Sequence, residues 1–139
     1  SAESLDLASE LDRREAANGV ELELDSAATD ADVRVPTADD VRRVRRGYRL
    51  RPGVAGDDAM GWVLTRAGLC DEGLRFARRS LRLGTKDALM FFHAAMAARC
   101  AGKSREAVSY LRAARRINPY FSVRWAPVAE RMLAELDPS

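Results

Sequence analysis

Residues 110–120 read YLRAARRINPY, and residues 76–86, thirty-four places earlier, read FARRSLRLGTK. Superposed, they set Tyr110 on Phe76, Arg112 on Arg78, Arg116 on Arg82 and Ile117 on Leu83. In the later copy Ala107, Val108, Leu111, Ala114 and Ile117 recur at steps of three or four, one stripe of a helix, with Arg105, Arg112, Arg115 and Arg116 opposite. Ser104 is placed to cap this helix through its hydroxyl. Asn118-Pro119 ends it, because proline lacks an amide hydrogen and biases the preceding residue away from helical geometry.

The same pattern predicts helices near 56–68 and 72–83, separated by Gly68-Leu69-Cys70-Asp71, and another pair near 87–101 and 104–117, separated by Gly102-Lys103. Gly68 and Gly102 both stand where a helix end calls for a left-handed residue. Two helix–turn–helix units of one length therefore follow each other. Upstream, Thr37-Ala38-Asp39-Asp40 opens a helix with a capping-box pattern that runs through Val41, Val44 and Tyr48 to Arg51-Pro52. Before it, 21–30 reads as a short helix and 4–17 as a longer one. VELELD at 20–25 alternates, and scans equally as a strand or a helix start. Gly53-Val54-Ala55-Gly56 is the loosest connection and the expected hinge.

A helical hairpin repeated every thirty-four residues resembles the tetratricopeptide repeat, whose first helix carries Trp-x2-Leu-Gly-x2-Tyr and whose second carries Ala-x3-Phe, with a proline after it. Residues 88–119 follow this as Phe91, Ala94-Ala95 and Ala98, then Ala107, Leu111 and Pro119. Residues 122–136 restart it with Trp125, Val128-Ala129 and Met132. In 54–85, Met60-Gly61, Leu64, Gly73 and Ala77 fit, while Asp57 stands at a large apolar position and Thr85 at the proline. In the first unit Asp40 replaces a small residue. The chain is most similar to repeat modules towards the C-terminus of actinobacterial proteins.

The resemblance implies an all-α fold: a right-handed superhelix of antiparallel helical hairpins, a TPR-like α-solenoid of about three units plus a C-terminal capping helix. It would be a single domain over 1–139, with degenerate N-terminal helices at 4–52, repeats at 54–85 and 88–119, and the capping helix at 122–136. No hairpin can bury its apolar face alone, so stacking builds the core. Leu64, Phe91, Leu111, Ile117 and Trp125 are expected to be buried. Gly61, Ala95 and Ala129 are the small residues where helices meet closely.

At 139 residues, with 47% apolar and 32% charged side chains, the composition is that of one globular domain. No apolar run reaches the roughly 18–20 residues of a membrane span. The chain opens at Ser1-Ala2 and reads as a processed product or a fragment, cytoplasmic or exported as part of a longer chain. Cys70 and Cys100 make no disulfide framework and read as small, half-buried thiols. His93, the single histidine, leaves no Cys/His cluster for zinc, and reads as a packed, hydrogen-bonded residue. There is no phosphate loop, GxSxG or HExxH. The pairs Asp57-Asp58 and Asp39-Asp40 lie at helix starts, where acids favour the macrodipole. The sequence therefore predicts no catalysis, cofactor or metal.

Two function classes remain. Residues 1–40 carry twelve acids and three arginines, a net of −9, and residues 41–139 carry nine acids and twenty bases, a net of +11. Arg45, Arg78 and Arg112, and likewise Arg49, Arg82 and Arg116, recur at steps of thirty-three and thirty-four. On the outer surface that the resemblance implies, they predict two charge ladders: a solvated face, or an alternative site for an anionic polymer (nucleic acid or a lipid surface). The lack of interleaved aromatics speaks against nucleic acid.

The resemblance also implies that first helices line a concave groove. Residue by residue, that places Asp58, Trp62, Thr65 and Arg66 there, then Leu89, Phe92, Met96 and Arg99, with Glu130 and Leu133 on the last helix. Trp62, Phe92 and Met96 would form an apolar strip edged by Arg66 and Arg99, suited to a peptide with apolar side chains and a carboxylate. The preferred expectation is a non-catalytic protein-interaction module taking a protein or peptide, with self-association left open. The competing expectation is that terminal helices cover the strip.

Overall fold

The computed structural model describes residue 24 and residues 26–138. Among them the chain is all-α, with no strand: α1 (26–33), α2 (Ala38–Leu50), α3 (Val54–Arg66), α4 (Cys70–Ser80), α5 (Ala88–Cys100), α6 (Ser104–Ile117) and α7 (Trp125–Leu136). Of the ambiguous stretch 20–25 only Leu24 is described, and it is helical. The helix expected at 4–17 lies outside the described residues.

Local signals set most boundaries. Thr37 Oγ1 accepts the Asp40 amide at 3.3 Å and the Asp40 carboxylate accepts the Thr37 amide at 2.8 Å, the reciprocal capping box that the sequence predicts for α2. Gly68 and Gly102 adopt φ of 84° and 76° at the ends of α3 and α5, a conformation that costs other residues a Cβ clash. Two expectations need correction. Ser104 is the first residue of α6 rather than its cap, and makes no capping bond. Val54, Ala55 and Gly56 lie inside α3 rather than in a hinge. A Cβ on Gly56 would come within 3.1 Å of the Tyr48 ring, so this glycine lets α2 and α3 close up.

Helices α3 and α4 pack antiparallel with their backbones in contact. A Cβ on Gly61 would lie 2.9 Å from the Ala77 nitrogen, and one on Gly73 would lie 3.0 Å from the Thr65 nitrogen. The small residues are therefore required by close approach, as in helix pairs generally where side chains would hold the axes apart. Leu64, Leu111 and Trp125 are buried as expected, together with Val44, Trp62, Phe92, Ala95 and Met132.

Phe91 and Ile117 depart from the expected core. Phe91 is half-buried against Tyr110, with ring centroids 6.3 Å apart, while Phe92 is fully buried against Phe121 and Trp125. Helix α5 reads ALMFFHAAMAARC, apolar on nearly every face, so periodicity does not choose between two adjacent phenylalanines. Ile117 is 39% exposed because it ends α6. The pairing of the cysteines, which the sequence leaves open, is settled: Cys70 at the start of α4 and Cys100 at the end of α5 form a disulfide rather than two free thiols, with Cα atoms 5.2 Å apart.

Candidate functional site

The outer arginines resolve into a repeating ion pair. Arg45 of α2 donates to both carboxylate oxygens of Glu72 on α4 at 2.6 and 2.8 Å. Arg78 of α4 does the same to Glu106 on α6 at 2.6 and 2.8 Å. Arg112 of α6 pairs with Asp137, just past α7. Hydrogen bonds from Arg45 and Arg78 hold the Glu72 and Glu106 carboxyls below the usual range, with burial opposing the effect in both. Burial, and then the hydrogen bond that its hydroxyl donates to Glu106, push the neighbouring Tyr110 up to about 12.

Of the six residues in the alternative anion-binding set, Arg45, Arg78, Arg82 and Arg112 are thus engaged with carboxylates of their own chain, while Arg49 and Arg116 are exposed. Arg82 reaches Asp57, the acid at an expected apolar position, which is completely buried. Tyr48 also donates its hydroxyl to Asp57 at 2.7 Å, and Arg79 lies 3.6 Å away. A buried carboxylate needs such partners, and here three supply them. Sequence reasoning missed this arrangement, although Glu72 and Glu106 recur at the same thirty-four-residue step as the arginines.

The strip of aromatic residues is closed. Trp62 is 1% exposed and Phe92 is 0% exposed, so neither is an open anchor. The Trp62 ring stacks on His93 at 4.2 Å and meets the edge of Trp125 at 5.5 Å, while Phe92 packs between Trp125 and Phe121. From the other side, Leu24, Ala27 and Ala31 join the same core, and Trp62 Nε1 donates to Asp32 at 2.9 Å. The approach to α7 and the α1 helix together fill the space in which a ligand had been expected. Indole and phenyl surface gains more from this burial than from water, at about 25 cal/mol per Å².

Asp58 is committed to His93, whose Nδ1 lies 2.9 Å from its carboxylate, and Leu89 is half-buried against the core. On α7, Leu133 is buried and Glu130 is exposed, away from the others; the four remaining residues of α3 and α5 do come together. Thr65, Arg66, Met96 and Arg99, joined by Cys100, line a cleft of about 350 Å³ where the ends of α3 and α5 lie side by side. Arg66 is held by an Nε bond to the Ala31 carbonyl at 2.8 Å, with its guanidinium over Trp62 and Trp125. Arg99 reaches Glu135 at 3.1 Å in an exposed pair. The disulfide pins one wall.

Among the described residues no group of three or more His, Cys, Asp or Glu could hold a metal ion, and no helix is long and apolar enough to cross a membrane. No family model matches the chain, and comparison with the curated proteins gives no match.

Proposed function

We propose that this chain is a non-catalytic protein-interaction module, a TPR-like stack of helical hairpins in a right-handed superhelix, whose docking site is the cleft between Arg66 and Arg99. The hairpin repeat at thirty-four residues and the antiparallel α3–α4 contact support the stacked architecture. The observation that carries the function is the convergence of two arginines on Met96 in an open cleft. Methionine adapts to apolar side chains of varied shape, and arginine grips a carboxylate with two parallel N–H bonds. The ligand this chemistry selects is a peptide segment presenting one apolar side chain beside a carboxylate. The alternative, an anionic polymer on the outer arginines, has less support because most of that ladder already serves internal carboxylates.

A peptide array offering each sequence with a free C-terminal carboxylate and as its amide tests the reading. Wild-type protein should retain free-acid peptides with an apolar residue near the end, and Met96→Glu and Arg99→Glu should each lose them. Equal retention of acids and amides, or an unchanged set on the variants, would sink it.

A further inference from the structure

The Cys70–Cys100 crosslink is part of the cleft wall, and its two ends are unequal. Cys100, the last residue of α5, is exposed and lines the cleft beside Arg66, Met96 and Arg99. Cys70 is half-buried and does not line it. A nucleophile that enters the cleft therefore reaches the crosslink from the Cys100 side. The two arginines stand at the cleft's edges. Positive charge beside a thiol favours its thiolate, the form that attacks a disulfide.

The helices set the direction of the reaction. Cys70 is the first residue of α4, a helix of 11 residues, and Cys100 is the last of α5. The macrodipole stabilises a thiolate at the first of these positions and disfavours one at the second. Of the acids in the first turn of α4, Glu72 is paired with Arg45, and Asp71 is exposed, where solvent screens its charge. The sulfur whose thiol has the lower pKa leaves faster. Attack on Cys100 with departure of Cys70 is thus the favoured exchange. Once departed and protonated, Cys70 has the Gly68 carbonyl within reach, 3.5 Å from its Sγ.

We propose that the cleft captures a thiol-bearing peptide covalently, through exchange with this disulfide. The ligand thiol gives its proton to water, and the thiolate attacks Cys100 Sγ. The bond from Cys100 to Cys70 breaks, and Cys70 leaves with the electron pair and takes up a proton. A mixed disulfide between ligand and Cys100 remains. One disulfide replaces another, so the step needs no oxidant or reductant. Cys70 reverses it by attacking the Cys100 sulfur and expelling the ligand. The inference rests on the cleft as a peptide site and narrows its ligand to a segment with a cysteine beside an apolar side chain and a carboxylate.

The probe is N-acetyl-Cys-Leu, as its free acid and as its amide. Oxidised protein is incubated with each, free thiols are trapped by alkylation, and the adduct is located by peptide mass spectrometry. A mixed disulfide should form on Cys100, with Cys70 alkylated, and the free acid should react about tenfold faster than the amide. Arg99→Gln should remove most of that advantage while changing the amide rate far less. High salt on the wild-type protein should shrink the same difference, a check that needs no variant. An adduct on Cys70, equal rates for acid and amide, or a crosslink inert in the folded protein overturns the proposal. N-acetyl-Ser-Leu, which cannot exchange, separates this result from the cleft itself. If its free acid binds by NMR titration and Arg99→Gln abolishes that binding, while the cysteine peptide forms no adduct, covalent capture falls and the peptide site stands.

Discussion

Arg78 on α4 and Glu106 on α6 meet through two hydrogen bonds, 2.8 and 2.6 Å long, across twenty-eight residues of chain. Both side chains are partly solvated, so the pair serves register more than stability. A double-mutant cycle with Arg78→Ala and Glu106→Gln should give a coupling of about 0.5–1 kcal/mol that shrinks in high salt. A coupling indistinguishable from zero at low salt would remove the pair from the account of how the hairpins align.

Acid should loosen the first hairpin. Hydrogen bonds from Arg34, and then from the Thr37 amide, hold the Asp40 carboxyl far below its ordinary value against an opposing burial effect. Its folded pKa is thus below its unfolded one, so in the window between them the unfolded chain binds more protons. The stabilisation is complete above the ordinary carboxylate range, near pH 4, and is lost as pH falls towards the folded pKa. Glu72 and Glu106 shift in the same direction and add to the trend. Chemical denaturation of Asp40→Asn should show a lower stability at neutral pH and a flatter decline below pH 4 than wild type. Parallel curves for the two proteins would contradict this linkage.

The helical period, the stops at Gly68 and Gly102 and the capping box at Thr37 could all be read from residue types, because each is a local signal. The cleft around Met96 is legible in part: four of the ten groove residues line it, among them the arginines at its edges. Whether the Trp62–Phe92 strip is open or covered by terminal helices could not be decided from sequence, since the covered state that the structure shows depends on Trp125, which sits sixty-three residues from Trp62 yet meets it edge-on. No local pattern reports a contact of that range. The arginine repeat is legible by itself, but its pairing is not, because only the matching thirty-four-residue repeat of Glu72 and Glu106 reveals an ion-pair ladder.

The Cys70–Cys100 disulfide closes a loop with a sequence separation of 30 between α4 and α5. In the chain-entropy picture a loop of that size stabilises the folded state by about 3–4 kcal/mol. Reduction, or a Cys70→Ala, Cys100→Ala double variant, should lower the melting temperature accordingly, and it should also loosen the Met96 cleft whose wall includes Cys100. Identical melting with and without reductant, in protein whose thiols titrate as oxidised beforehand, would show that the crosslink adds nothing.

The two neighbouring phenylalanines give the sharpest test of how α5 is turned. Phe92 is fully buried among Trp62, Phe121 and Trp125, whereas Phe91 lies half-buried on Tyr110 at the opposite flank. One residue along a helix is a rotation of about 100°, so a repeat register that directs Phe91 inwards would point Phe92 elsewhere. Truncating a fully enclosed phenylalanine loses its transfer energy and leaves a cavity that three rigid rings cannot fill, at a cost of about 3–5 kcal/mol. Truncating a half-buried one lets water replace part of the ring, and Phe91→Ala should cost roughly half as much. Denaturant melts of Phe91→Ala and Phe92→Ala, with Trp62 and Trp125 fluorescence as the probe, measure the ordering directly. The emission of Phe92→Ala should also shift to the red as water reaches the indoles, and that of Phe91→Ala should not. A larger loss for Phe91→Ala would rotate α5 by one residue and reopen Trp62 and Phe92 as candidates for the groove.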